Sequence, residues 1–223
     1  MTKRIVLAAA AGILSIASAC RISRPFIGPV PAEIRSVEGY AALRTTRGGA
    51  SAKSRLAFLL LPPGRGRLEV LGPLQQRLFV VDVDEPGAIL TVPSKKAYWQ
   101  ASRTEILDAG LGFPLSLAEI VGVLSGTWDG PAFRTAWRFD RDDRSRVFAG
   151  RREGFDFRID EYFPGTSAPR RLTFQAAEGG GAMTILSLAF NAADPGVRLA
   201  APIPASYTRI SREAMERLLR DED

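Results

Sequence analysis

Acid–base chemistry in this chain falls to carboxylates. There is no histidine among its 223 residues, so no Ser-His-Asp or Cys-His arrangement and no imidazole metal ligand can form. The candidates are Asp140, Asp142 and Asp143, gathered in one stretch, and the adjacent Asp160 and Glu161. Paired carboxylates divide acid and base work in some hydrolases, and the partners need not be close in sequence. Here the acids sit in a turn-like stretch or alternate with apolar residues, as solvent-facing turn and strand positions do. The ordered acids and central glycine of a calcium loop are missing. The glycine-rich stretches "GRG" at 64–66 and "EGGGA" at 178–182 lack the strand-to-helix setting and Lys-Ser/Thr end of a phosphate loop. The residues point away from an enzyme and imply neither cofactor nor metal.

The other reactive group is Cys20, the single cysteine, which excludes an internal disulfide and a cysteine-rich zinc site. It closes a segment that divides into "MTKR", "IVLAAAAGILSI" and "ASAC". A cationic start, a short apolar run and a small-residue end are the three regions of a secretory signal. The run falls short of the ~20 residues that span a bilayer comfortably. A cysteine directly after Ala17-Ser18-Ala19 resembles a bacterial lipobox, whose thiol receives a diacylglyceryl group and becomes the mature N-terminus. One acyl chain anchors only marginally, and a lipoprotein cysteine resembles a firmer anchor of two or three chains. By the same resemblance, Arg21 rather than Asp after the cysteine implies the outer membrane. The expected organisation is a signal peptide at 1–19, a lipidated tether at 20–32 and a folded domain at 33–223.

The formal charge is +6, and the lysines are only Lys3, Lys53, Lys95 and Lys96. Such a balance permits attraction to anionic lipid heads or nucleic acid. The arginines are scattered and no helix carries a basic stripe, which argues against nucleic acid.

Positioning elements follow from periodicity. Phe58 and Leu60 share a face with Leu56, Val70 shares one with Leu68, and Phe79 and Val81 alternate against Asp82. Trp137 pairs with Phe139, Phe157 alternates with Asp156 and Arg158, and Leu172 pairs with Phe174. One apolar and one wetted face is the pattern of an antiparallel sheet. Turn signals separate these runs at "RGGAS", "PPGRG", "DEPG", "DRDDRS" and "EGGG". Two capping boxes, Ser102-x-x-Glu105 and Ser116-x-x-Glu119, predict helices near 103–109 and 116–125. In the second, Leu117, Ile120, Val121 and Leu124 line one face before Gly126. A last helix is expected at 212–220, capped by Ser211. The fold class is α+β: a strongly curved antiparallel β-sheet, a half-barrel, with helices covering the concave side. Its aromatic and aliphatic residues suit a solid core. The same residues would also suit a cavity for acyl chains.

The stretches "RLEVLGPLQQRLFVVD" and "GLGFPLSLAEIVGVLSG" resemble the LolB-like outer-membrane lipoproteins, which share the lipoprotein-localisation-factor fold with LolA. The resemblance spans about residues 33 to 195. It implies a half-barrel whose apolar cavity receives acyl chains of lipoproteins from a LolA-like periplasmic carrier and passes them into the outer membrane. Shared phase within each strand and helix gives the expected cavity residues as Phe58, Leu60, Val70, Phe79, Val81, Trp137, Phe139, Phe157 and Phe174, facing Leu117, Ile120, Val121 and Leu124. The family's protruding loop leucine falls on Leu74, and Gln75-Gln76 stands where the family usually has Gly beside it. A structural or assembly lipoprotein holding an envelope partner, and a lipid-processing enzyme using carboxylates, are the rival readings.

Overall fold

The computed structural model describes residues 26–47, 49–85, 87–112, 115–134, 136–177, 179–192, 199 and 202–221. Cys20, the signal segment and the first residues of the tether lie outside the described residues.

The period-two stretches form strands, and the capping boxes start helices. The elements are β1 (Phe26–Ile27), β2 (Val37–Arg47), β3 (Ala50–Leu61), β4 (Arg65–Leu71), β5 (Arg77–Val83), β6 (Ala88–Val92) and β7 (Ala97–Ala101). Helices α1 (Arg103–Leu111) and α2 (Leu117–Ser125) follow. Then come β8 (Arg138–Arg141), β9 (Val147–Arg152), β10 (Phe155–Tyr162), β11 (Pro169–Ala176), β12 (Gly179–Phe190), β13 (Thr208–Arg209) and α3 (Arg212–Asp221).

The described strands form one open sheet in the order β13-β7-β6-β5-β4-β3-β2-β12-β11-β10-β9-β8, with β1 alongside β12. The ladders are antiparallel except those of β1 with β12 and β13 with β7. Two meanders, β2–β7 and β8–β12, meet where β2 pairs with β12 from Arg47↔Gly179 to Val37↔Phe190. This join places β7 and β8, consecutive strands in the chain, near opposite edges. The segment between them, which holds α1 and α2, must therefore cross a face of the sheet. α1 packs against β5, β6 and β7, and α2 packs against β11. Leu68 on β4 and Phe155 on β10 line one cavity. The five inter-strand steps between those strands would span about 24 Å if the sheet were flat. The sheet curls to bring them together.

Both sequence-predicted caps form. Ser102 and Ser116 each accept from the backbone N–H three residues on, and Glu105 and Glu119 reach back to the cap residues' own N–H groups. Gly126 ends α2 with φ 71°, a left-handed conformation that suits glycine. Several strands gave little signal. In β2 the inward positions include Gly39 and Ala41, too small to mark a period; a Cβ on Gly39 would lie 2.8 Å from the Phe58 ring. "EGGG" reads as a turn, yet Gly179, Gly180 and Gly181 are laddered to β2 and β11. A Cβ on Gly181 would come within 2.6 Å of the Phe174 ring, so the glycine leaves room for Phe174.

The C-terminal segment, without an assigned role in the sequence, covers an edge. β13 pairs with β7, and α3 packs on β7 with Met215 fully buried in the main core. Covering an edge strand removes a template for pairing with other chains. Met215→Ala should cost about 2–5 kcal/mol, as core truncations of this size do. Urea unfolding of the full chain measures it, and a loss under about 0.5 kcal/mol, the scale of a surface change, would mean that α3 is merely draped on the sheet.

Candidate functional site

Beneath the helices lies a cavity of about 40 Å³ whose lining residues are all apolar. The sheet contributes Leu56 and Phe58 from β3, Leu68 from β4, Phe155 and Phe157 from β10, Leu172 and Phe174 from β11, and Met183 from β12. From above come Leu111 at the end of α1, Leu115 before the second cap, and Ile120, Val123 and Leu124 on α2. Ligand pockets usually measure ~300–1,000 Å³, so in this state the space is nearly closed.

Of the residues singled out in the sequence, Phe58, Phe157, Phe174, Ile120 and Leu124 line the cavity. Leu60, Val70, Val81, Leu117 and Val121 are buried in the same core but do not reach it, and Phe79 and Phe139 pack half-buried against that core. Trp137 lies to one side in an aromatic cluster, stacked on Phe139 at 5.7 Å and edge-on to Phe133. Leu56, Leu68, Phe155 and Leu172 share the period-two phase of residues already singled out, so their lining role was readable. Leu111, Leu115, Val123 and Met183 depend on how α1, α2 and β12 are laid over the sheet, which no local pattern reports.

Among the described residues the buried polar side chains are Ser36, Ser125 and the carboxylate Glu119, which is only 5 % exposed. One carboxylate oxygen accepts from the Ser116 backbone N–H at 2.7 Å and completes the cap of α2. The other accepts from Trp137 Nε1 at 2.7 Å and from Arg152 Nη1 at 2.9 Å. Arg152 also lies over the Trp137 ring at 5.5 Å. A buried carboxylate needs this many donors, because desolvating it alone is costly. Gly122 lets the same helix sit close to Phe133: a Cβ there would come within 2.2 Å of that ring. The charged pair thus ties α2 to the end of β9, at the rim of the aromatic cluster.

Of the carboxylates considered for chemistry, Asp140, Asp142, Asp160 and Glu161 each meet an arginine. Asp140 bonds Arg151 at 2.7 Å, Glu161 bonds Arg170, and Asp160 lies 3.9 Å from Arg158. Asp142 closes the β8–β9 turn by accepting from the backbone N–H groups of Arg144 and Arg146 and from the Arg146 guanidinium. The Arg146 backbone N–H and guanidinium hold its carboxyl below the ordinary value. Among the described residues no cluster of three or more acidic or sulfur ligands could hold a metal ion.

Leu74 is 88 % exposed, in the turn between β4 and β5. Gly72 N–H donates to the Gln76 carbonyl at 2.9 Å, and Leu74 N–H donates to Gln76 Oε1 at 2.9 Å. Gln75 takes φ 64°, the region that favours glycine. The glutamines that replace the expected glycine therefore build a tight turn that holds the leucine outward.

No family model matches the chain, and no curated protein matches it. Among solved structures, a LolA superfamily protein from Nitrosomonas europaea is 13 % identical, covering 75 % of this chain and 91 % of its own at a TM-score of 0.50. A putative outer membrane lipoprotein-sorting protein domain from Vibrio parahaemolyticus is 7 % identical, covering 82 % and 92 %, with a TM-score of 0.50. A DUF1329 family protein from Desulfovibrio piger is 8 % identical, covering 73 % and 88 % at the same score. At these identities the likeness is one of fold.

The ion pair generates a test. Glu119→Gln should cost about 3–5 kcal/mol, because Arg152 is left buried without its counter-charge. Adding Arg152→Met should recover much of that loss, since it removes the buried charge that the first change left without a partner. Denaturant midpoints of the single and double variants read it; additive losses would mean that the two residues act independently.

Proposed function

We propose that the chain is a lipid-anchored envelope lipoprotein of the LolA/LolB type, which takes acyl chains of lipoproteins between its helix pair and curled sheet and passes them into the outer membrane. The observation that carries this reading is the wholly apolar cavity between α2 and five strands. In this reading the sheet is a half-barrel with α1 and α2 over its concave side. The cargo arrives from a LolA-like periplasmic carrier, and Cys20 holds the protein at the membrane.

At about 40 Å³ the cavity is on the scale of one water molecule, whose share of liquid volume is ~30 Å³. An acyl chain therefore enters only when α2 lifts from the sheet. Lifting separates Glu119 from Arg152, and both ions regain hydration as they part, which offsets much of the lost attraction. The apolar residues exposed by that motion are the ones the acyl chain then covers. Leu74 acts at the release step: burying one leucine is worth ~1.5–3 kcal/mol, too little to anchor the protein and enough to bias its orientation at the bilayer.

The near-closure of the cavity favours a second reading, in which the same scaffold holds an envelope partner and transfers no lipid. Displacement of a fluorescent apolar probe separates the two. ANS should bind the folded full chain and be expelled by acyl chains, with an uptake rate that levels off as ligand rises because helix opening limits it. A chain that binds neither supports the partner-holding scaffold. Leu74→Glu should leave folding and acyl uptake intact while slowing delivery into vesicles; normal delivery would reduce that turn to a connector.

A further inference from the structure

The outer face of the sheet carries a group of cations that the cavity does not use. Arg44 on β2 stands directly opposite Lys53 on β3 in the ladder. Arg55, two residues on from Lys53, points to the same face, and all three are exposed. Like charges directly opposite one another in a sheet are destabilising. None of the three has an ion-pair partner among the described residues. On β4 and β5 the opposite holds: Arg67 bonds Glu69 at 2.8 Å and Asp82 at 2.7 Å, and Arg77 bonds Glu69 at 3.0 Å. The cross-strand neighbours of the free cations on the other side are small. Arg55 pairs with Ala42 and Arg44 with Ala182, so the cations stand on a low, flat floor.

This group adjoins the Leu74 turn. Arg55 pairs with Leu71, the residue that ends β4 immediately before that turn. A leucine held outward by its own turn and three unneutralised cations therefore share one border of the sheet, Arg55 standing one strand spacing (~4.8 Å) from Leu71, three residues before Leu74. Nucleic acid or an acidic protein would meet the cations and leave the leucine without a role. A layer of anionic headgroups over acyl chains meets both.

We propose that Arg44, Lys53 and Arg55, together with Leu74, form the surface with which this protein docks on an anionic lipid layer. The inference rests on the delivery reading and names the surface that delivery uses. The cations meet lipid phosphates, which relieves the repulsion between Arg44 and Lys53, while Leu74 reaches the acyl boundary.

The test compares the full chain carrying Cys20→Ser, so that no covalent lipid masks the effect, with the same chain carrying Arg44→Gln, Lys53→Gln and Arg55→Gln as well. Partition is measured on vesicles of phosphatidylcholine and of phosphatidylcholine mixed with phosphatidylglycerol. Removing three surface cations should weaken partition to the anionic vesicles about a hundredfold, and leave the neutral ones unchanged. Raised salt should erase the difference between the proteins. The thermal midpoint should hold or rise, since a repulsive pair is gone. Equal losses on both vesicle types, or none on the anionic ones, overturn the proposal. So does tighter binding to a single-stranded oligonucleotide that depends on the same three residues. ANS displacement by acyl chains, run on both proteins, keeps the two readings apart: its absence in the parent refutes the cavity, whereas the vesicle comparison alone decides the docking surface.

Discussion

Glu119 sets the position of α2 through a single carboxylate. It satisfies the backbone N–H of Ser116, the cap of its own helix, and neutralises Arg152 at the end of β9. A cap by itself would fix where the helix starts but not where it lies. An ion pair by itself would hold a side chain but not orient the helix that bears it. Because both bonds converge on one buried group, the start of α2 and its seat on the sheet are coupled. The apolar residues Ile120, Val123 and Leu124 then fall over the strands below. Apolar contact alone is non-directional and would tolerate a slid or rotated helix; the charged contact singles out one arrangement.

Topology lays that helix across the sheet. The pairing of β2 with β12 joins two meanders side by side and drives β7 and β8 to opposite ends of the sheet order. The connecting segment has to cross a face of the sheet, and its capped helices pack there, α1 on β5, β6 and β7 and α2 on β11. Each end of the sheet is managed differently. The β7 end is extended by β13 and packed under α3. The β8 end is four residues long and carries Arg138, Asp140 and Arg141, a short, charged strand of the kind that resists pairing with another chain. What remains exposed is the outer face near the β4–β5 turn, where free cations and Leu74 adjoin.

Much of the local structure is legible in the sequence. Ser116 and Glu119 three residues apart announced a capped helix, and the structure has both reciprocal bonds. Alternation announced β3, β5, β10 and β11, and the glycine and proline clusters lay at or beside the turns between strands. The reading failed where small residues carry the fold. Gly39 and Ala41 conceal the inward phase of β2, and the glycines at the start of β12 look like a turn although they accommodate neighbouring rings. Of the cavity, the residues on β3, β4, β10 and β11 were readable from strand phase, and the contributions of Leu111, Leu115, Val123 and Met183 were not.

The sequence by itself determined the two capped helices, the strands β3, β4, β5, β10 and β11 with their apolar faces, and that this chain has no histidine and one cysteine. These follow from interactions within a few residues of chain: caps, turn conformations and the alternation of side chains along a strand. Only the tertiary structure decided that Glu119 meets Trp137 and Arg152, 18 and 33 residues away. It alone decided that β2 lies beside β12, that Met215 closes the core, and that Arg44 faces Lys53. Such contacts depend on which strands become neighbours, and that is settled by the summed burial of the whole sheet and its covering helices. No local stretch carries that sum, so the pairs it brings together cannot be read from any one of them.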